Sequence, residues 1–210
     1  MKAAKRVFDV AVSAVLLLIL TPLLAMVAAA VIVTMGRPVI FRQERPGIHG
    51  RLFVMYKFRT MKNAVGPDGR PLPDCERLTP LGRLLRATSL DELPELFNVI
   101  RGDMSLVGPR PLLPRYMPYY TEREQLRHKV RPGITGWAQV CGRNKVSWDE
   151  RLAADVWYVE NWSLWLDLKI IARTLVVVVF RSGVVVDPAS KLSDLDVERA
   201  GRLIGGAAGD

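Results

Sequence analysis

At 210 residues the chain suits one modest domain around a single core. Half of it is hydrophobic, yet the formal net charge is +9 and the pI about 9.9, a balance that suits anionic partners such as a membrane surface, a nucleotide or a nucleic acid. Two distant cysteines, Cys75 and Cys141, and only two histidines give no metal-ligand spacing, which argues against zinc and for a reducing compartment.

Residues 10–35 are almost wholly apolar, interrupted by Ser13, Thr21 and Pro22. The run is too long for a cleavable signal peptide and long enough for a membrane helix. Both flanks are basic, with Lys2, Lys5 and Arg6 before it and Arg37, Arg42 and Arg45 after it. The positive-inside rule therefore holds both ends on the cytoplasmic face, which a single crossing does not satisfy. Pro22 removes a helical hydrogen bond, and Thr21 can re-satisfy the backbone. Each half, residues 7–20 and 23–35, is about 20 Å long at ~1.5 Å per residue, short of a ~30 Å hydrocarbon core. The expectation is a re-entrant helix–break–helix at Thr21-Pro22; a kinked spanning helix is the alternative.

After residue 36 the pattern changes to period two. Residues 39–43 and 52–59 read as strands of a small β-hairpin, with Phe53, Met55, Lys57 and Arg59 on one face. Lys57 and Arg59 either meet a phosphate there or form a solvated edge. Residues 66–73 are rich in breakers and read as a mobile loop. Helices are expected over residues 79–86 and 91–101, the second stopped by Gly102.

The second helix opens on adjacent carboxylates, Asp91 and Glu92, with Arg86 and Arg110 on either side. Carboxylates beside arginines and a helix start suit a phosphate and a metal. Ser89-x-x-Glu92 equally fits a capping box, although Pro94, tolerated only in a first turn, moves the helix start to Asp91. Pro109-Arg110-Pro111 holds one guanidinium on a stiffened backbone. Arg131-Pro132-Gly133 and Gly142-Arg143-Asn144 are further basic turns. Residues 147–181 read as helical and tryptophan-rich, through Trp148, Trp157, Trp162 and Trp165, in keeping with amphipathic helices at a membrane interface. The apolar residues 170–180 either pack under the domain or meet lipid. From Asp187 onward the chain reads as a tail with no chemical signal.

Six motifs now stand in order: Lys5-Arg6-x-x-Asp9, Tyr56-Lys57-Phe58-Arg59-Thr60-Met61, Ser89-Leu90-Asp91-Glu92-Leu93-Pro94, Gly102-Asp103-Met104-Ser105, Gly108-Pro109-Arg110-Pro111 and Arg131-Pro132-Gly133-Ile134-Thr135-Gly136-Trp137. Together they resemble the bacterial sugar transferase family, the monotopic polyprenyl-phosphate phosphoglycosyltransferases, over residues 2–185. The length resembles that of the minimal, single-domain members, of bacillosaminyl-phosphate type, without the multi-span extension of larger relatives.

The resemblance implies an α+β, mainly helical fold, with residues 1–36 as a re-entrant membrane helix, 37–186 as a cytoplasmic catalytic domain with interfacial helices, and 187–210 as a C-terminal tail. It implies an enzyme of the bacterial inner membrane, monotopic, with its catalytic domain on the cytoplasmic face. Sugar 1-phosphate passes from a UDP-sugar, expected to be N-acetylated, to undecaprenyl phosphate; UMP leaves, Mg2+ assists and a phosphosugar–enzyme intermediate forms. Asp91 matches the nucleophile and a metal ligand, and Glu92 its partner, as metal ligand or general base. A carboxylate nucleophile splits one displacement into two through an acyl phosphate. Arg86, Lys57, Arg59, Arg110, Arg131 and Arg143 are the expected phosphate and nucleotide contacts.

Two rival readings remain at this stage. A glycosyltransferase that moves only the sugar would release UDP instead of UMP. A basic peripheral membrane protein would use Asp91-Glu92 merely as a helix cap. No recognition helix or aromatic platform supports nucleic-acid binding.

Overall fold

The computed structural model describes residues 3–141, 147–179 and 194–206. The fold is α+β and mainly helical. The first helix, α1 (Ala3–Met35), runs unbroken through Pro22. Proline has no N–H to offer the Leu18 carbonyl. Thr21 Oγ1 donates to the Leu17 carbonyl at 2.7 Å. The break expected at Thr21-Pro22 is thus a missing bond inside one helix, not a gap between two.

Both ends of α1 rest on the same domain, in different ways. Near the start, Lys5, Asp9 and Ser13 form one buried stripe. Near the end, Val27, Val31 and Met35 pack with Phe58 and Leu85. Between them the helix is bare, Leu18 being 77% exposed and Ile19 66%. Arg6 donates to the Val99 and Ile100 carbonyls, where a cation suits the negative end of a helix.

The hairpin joins β1 (Ile40–Pro46) to β2 (Leu52–Phe58), antiparallel, with Ile40 opposite Phe58 and Pro46 opposite Leu52. It has the expected place, with β1 extended to Pro46. The loop over residues 66–73 closes into a turn in which Gly66 N–H donates to the Arg70 carbonyl. Helix α2 (Pro80–Ala87) begins where Thr79 Oγ1 accepts from Gly82 N–H at 2.9 Å, with Pro80 at the first position. A Cβ on Gly82 would lie 1.9 Å from the Thr60 carbonyl oxygen, so glycine is what lets α2 meet the end of β2.

Helix α3 (Glu95–Arg101) ends at Gly102, whose φ of 97° a side chain would strain. Next, β3 (Ser105–Val107) pairs in parallel with β4 (Gly133–Thr135). These were not expected: three-residue strands leave almost no periodicity to read. The chain continues through α4 (Trp137–Cys141), α5 (Trp148–Glu160) and α6 (Leu164–Val179). The main core gathers Met55, Leu96, Val99, Met104, Leu106, Tyr158, Leu166 and Ile170.

A buried polar knot ties α1 to α6. Lys5 Nζ lies 2.5 Å from Asp167 Oδ2 and 3.8 Å from Asp9. Asp167 also accepts from Tyr158 and Trp162, and Asp9 from Ser105 Oγ. Every charge in the knot has a partner, the condition under which buried charges are tolerated.

Two expectations are corrected. Trp148 is not interfacial; it is buried edge-on against Tyr116. Leu164, Trp165, Leu168, Leu175 and Val176 do leave an apolar exposed face on α6. Nor is the C-terminal stretch featureless. Helix α7 (Leu195–Gly206) buries Leu195 beside Leu112, Tyr120 and Leu152, and Arg199 pairs with Glu124 and Asp149.

Candidate active site

Ser89, at φ 56°, turns the chain left-handed into a 3-10 turn, Leu90–Glu92. Pro94 caps α3, so the helix begins at Glu95 and not at Asp91 as the sequence implied. The capping box does not form. Glu92 N–H reaches only the Ser89 carbonyl, and its carboxylate points elsewhere.

Glu92 Oε1 accepts from Lys57 Nζ and from Arg110, each at 2.5 Å. Lys57, from the end of β2, also lies 3.1 Å from Glu95 Oε1. Arg110 is held by its backbone: its carbonyl accepts from Arg127 at 2.6 Å, and the neighbouring Pro109 carbonyl accepts from Gly133 N–H at 3.0 Å. That second contact needs two glycines, since a Cβ on Gly133 would sit 2.1 Å from Gly108 N. Two basic turns that are separate in sequence therefore meet through bare backbone.

The three acids occupy different electrostatic settings. Burial pushes Glu92 up, but Arg110 and Lys57 outweigh it and hold the carboxyl well below the usual range. Asp91 is buried and accepts no hydrogen bond among the described residues. Burial and then the Glu92 charge raise it to about 6, against Lys57, Arg110 and Arg86. Glu95 is raised by burial to about 7. It was missed in the sequence, although Asp91 and Glu95 stand one helical turn apart, a spacing that places side chains together.

The expected cations divide. Lys57 and Arg110 engage Glu92, and Arg86 acts on Asp91 while donating to Thr60 Oγ1 at 3.2 Å. Arg59 does not join them. It lies beyond β2, buried, and donates to the Met35, Pro38 and Met61 carbonyls, tying the end of α1 to the domain. Arg131 donates to the Gly102 carbonyl at 2.7 Å, at the end of α3. Arg143 lies outside the described residues. Among the described residues no three His, Cys, Asp or Glu side chains converge as a self-sufficient metal cage.

A free buried carboxylate beside one clamped by two cations, on a domain carrying an apolar helix, narrows the family. The bacterial sugar transferase pattern matches residues 1–181. The chain belongs to the bacterial sugar transferase family. Among its relatives is the uncharacterized sugar transferase EpsL of Bacillus subtilis, 51% identical over 86% of this chain and 89% of that protein. The UDP-glucose:undecaprenyl-phosphate glucose-1-phosphate transferase of Caulobacter vibrioides is 45% identical over 81% of this chain and 68% of its own length. The undecaprenyl-phosphate galactose phosphotransferase of Salmonella typhimurium is 41% identical, and there the match spans 85% of this chain but 41% of the larger protein.

Proposed function

We propose that this bacterial sugar transferase moves a hexose 1-phosphate from a UDP-sugar to undecaprenyl phosphate, releasing UMP, in two steps through Asp91. The observation that carries this reading is the contrast within the dyad: Glu92 is locked by Lys57 and Arg110, while Asp91 accepts no hydrogen bond among the described residues. An Asp91 oxygen attacks the sugar-bearing phosphorus, the phosphorus–oxygen bond to UMP breaks, and UMP keeps the electron pair. A lipid phosphate oxygen then attacks the same phosphorus and Asp91 departs as carboxylate. Lys57 and Arg110 hold positive charge where the phosphate oxygens gather negative charge. Two of the named relatives are a glucose-1-phosphate transferase and a galactose phosphotransferase, so the proposal stands at hexose and not at an N-acetylated sugar.

The resemblance also implies Mg2+. That ion takes one or two carboxylates and completes its shell with water and substrate phosphates. The residues fit: Asp91 is the available carboxylate, and Glu92 a second one that shares its oxygens with Lys57 and Arg110. When bound, the ion would neutralise diphosphate charge. The bare middle of α1 and the apolar face of α6 support a monotopic seat in the cytoplasmic leaflet, with residues 1–36 as the anchor and 37–186 as the catalytic part. The docked α7 belongs to the remainder, 187–210.

The test incubates purified protein with UDP-glucose or UDP-galactose and Mg2+, without lipid. Intact mass spectrometry is expected to show a hexose-phosphate adduct, lost in Asp91→Asn, with UMP in solution. Release of UDP in place of UMP would instead establish transfer of the sugar alone.

A further inference from the structure

Arg45 and Arg151 are two cations that the proposed dyad chemistry does not use. Arg45 lies on the Gln43 side of β1, where one terminal nitrogen donates to the neutral Gln43 Oε1 at 2.6 Å. Its Nε is buried without a hydrogen bond, and no carboxylate lies within ion-pair distance among the described residues. Arg151, on α5, stacks over the Trp148 ring with its guanidinium carbon 4.9 Å from the centroid. It too has no ion pair among the described residues. The acid one turn along, Asp155, gives its Oδ2 to Arg127 instead.

A chain of contacts leads from the helix of Arg151 to the Arg110 backbone. Arg127 grips Asp155 with one edge, donates to the Arg110 carbonyl at 2.6 Å, and reaches the Tyr120 hydroxyl at 3.2 Å. Tyr116 packs edge-on against Trp148. Tyr116 and Tyr120 also act electrostatically on Arg45. Burial and then the Arg110 charge depress Arg45 to about 10, and the same two causes lower Arg151. Arg45 and Arg151 thus each lie within electrostatic reach of Arg110, and of the three only Arg110 forms an ion pair with a carboxylate among the described residues. Such an arrangement is costly unless an anion joins it.

The chemistry of the site indicates which anion. Arg110 and Lys57 converge on Glu92 beside Asp91, so the phosphate under attack belongs there. A nucleoside diphosphate sugar carries a second phosphate, one bridging oxygen away, on which negative charge grows as the bond breaks. We infer that Arg45 and Arg151, with Arg110 shared between the two positions, form the subsite for the phosphate of the departing nucleoside monophosphate. This inference rests on the reaction proposed above. Bidentate guanidiniums suit the growing charge, and Trp148 holds one of them in plane.

The test is calorimetric titration of UMP, UDP and inorganic phosphate into the detergent-solubilised full chain. Arg45→Gln and Arg151→Gln are each expected to weaken UMP binding by about tenfold or more, the scale of a charge-assisted contact. Arg42→Gln is the control: it removes the same charge from the opposite, exposed side of β1, where Arg42 lies over Tyr56, and is expected to change binding less than about twofold. Arg45→Lys, which keeps the charge but not the fork, is expected to fall between. Melting curves confirm that the variants fold. UMP binding equal to wild type in folded Arg45→Gln and Arg151→Gln overturns the subsite and leaves the Asp91 adduct untouched. A wild type that binds UDP but not UMP overturns the parent reaction as well.

Discussion

Asp91, Glu92 and Glu95 lie within five residues of one another, yet their surroundings give each a different charge. Glu92 stays ionised between Lys57 and Arg110, whereas Asp91 is raised to about 6. A nucleophilic carboxylate works deprotonated, so adduct formation is expected to fall as pH drops through about 6. At pH 5 it should run about tenfold slower than at pH 7, measured by quenched-flow mass spectrometry. Glu92→Gln removes a neighbouring negative charge and frees Lys57 and Arg110 to face Asp91. Its acid limb is therefore expected at lower pH, even where the overall rate drops; an unmoved limb would show that Glu92 does not tune Asp91. The sequence displayed the dyad and Arg110, since a stiffened Pro-Arg-Pro and paired acids are local signals. It hid the different task of Arg59, because the carbonyls that hold it come from the end of α1 and the following turn.

Between elements, the controlling positions are places where backbone touches backbone. Gly108 and Gly133 let β3 and β4 run in contact, and that contact aims Arg110 at Glu92. Gly133→Ala forces a Cβ against Gly108 N. The substitution is expected to cost on the order of 2 kcal/mol or more, read as a lowered melting temperature, and to weaken UMP binding through displacement of Arg110. A Gly133→Ala protein that melts with wild type would mean the crossing can open. The glycines were visible as parts of turn motifs, and their partnership was not. Parallel pairing joins segments far apart in the chain, and three residues give no alternation to follow. The same holds for α7, whose polar, alanine- and glycine-rich composition conceals Leu195 and Arg199 as docking residues.

At the scale of the whole molecule, one domain grips both ends of an apolar helix whose middle stays bare. In a membrane, residues 3 and 37 are therefore expected on the same side. The check replaces Cys75 and Cys141, both exposed, with serine and adds either Ala3→Cys or Arg37→Cys. An impermeant maleimide is expected to label both variants in inverted vesicles and neither in intact spheroplasts; labelling on opposite sides would establish a crossing. The sequence carried the length of the apolar run and its basic flanks, from which same-side ends follow. It could not indicate that Lys5 is neutralised by Asp167, 162 residues later. That separation sets an order of events during synthesis. At ~5–20 residues per second, the helix is made roughly 8–30 s before Asp167 exists. For that interval Asp9, one turn along the same helix, is the carboxylate that Lys5 has beside it, and the final posture of the helix is set only when α6 arrives.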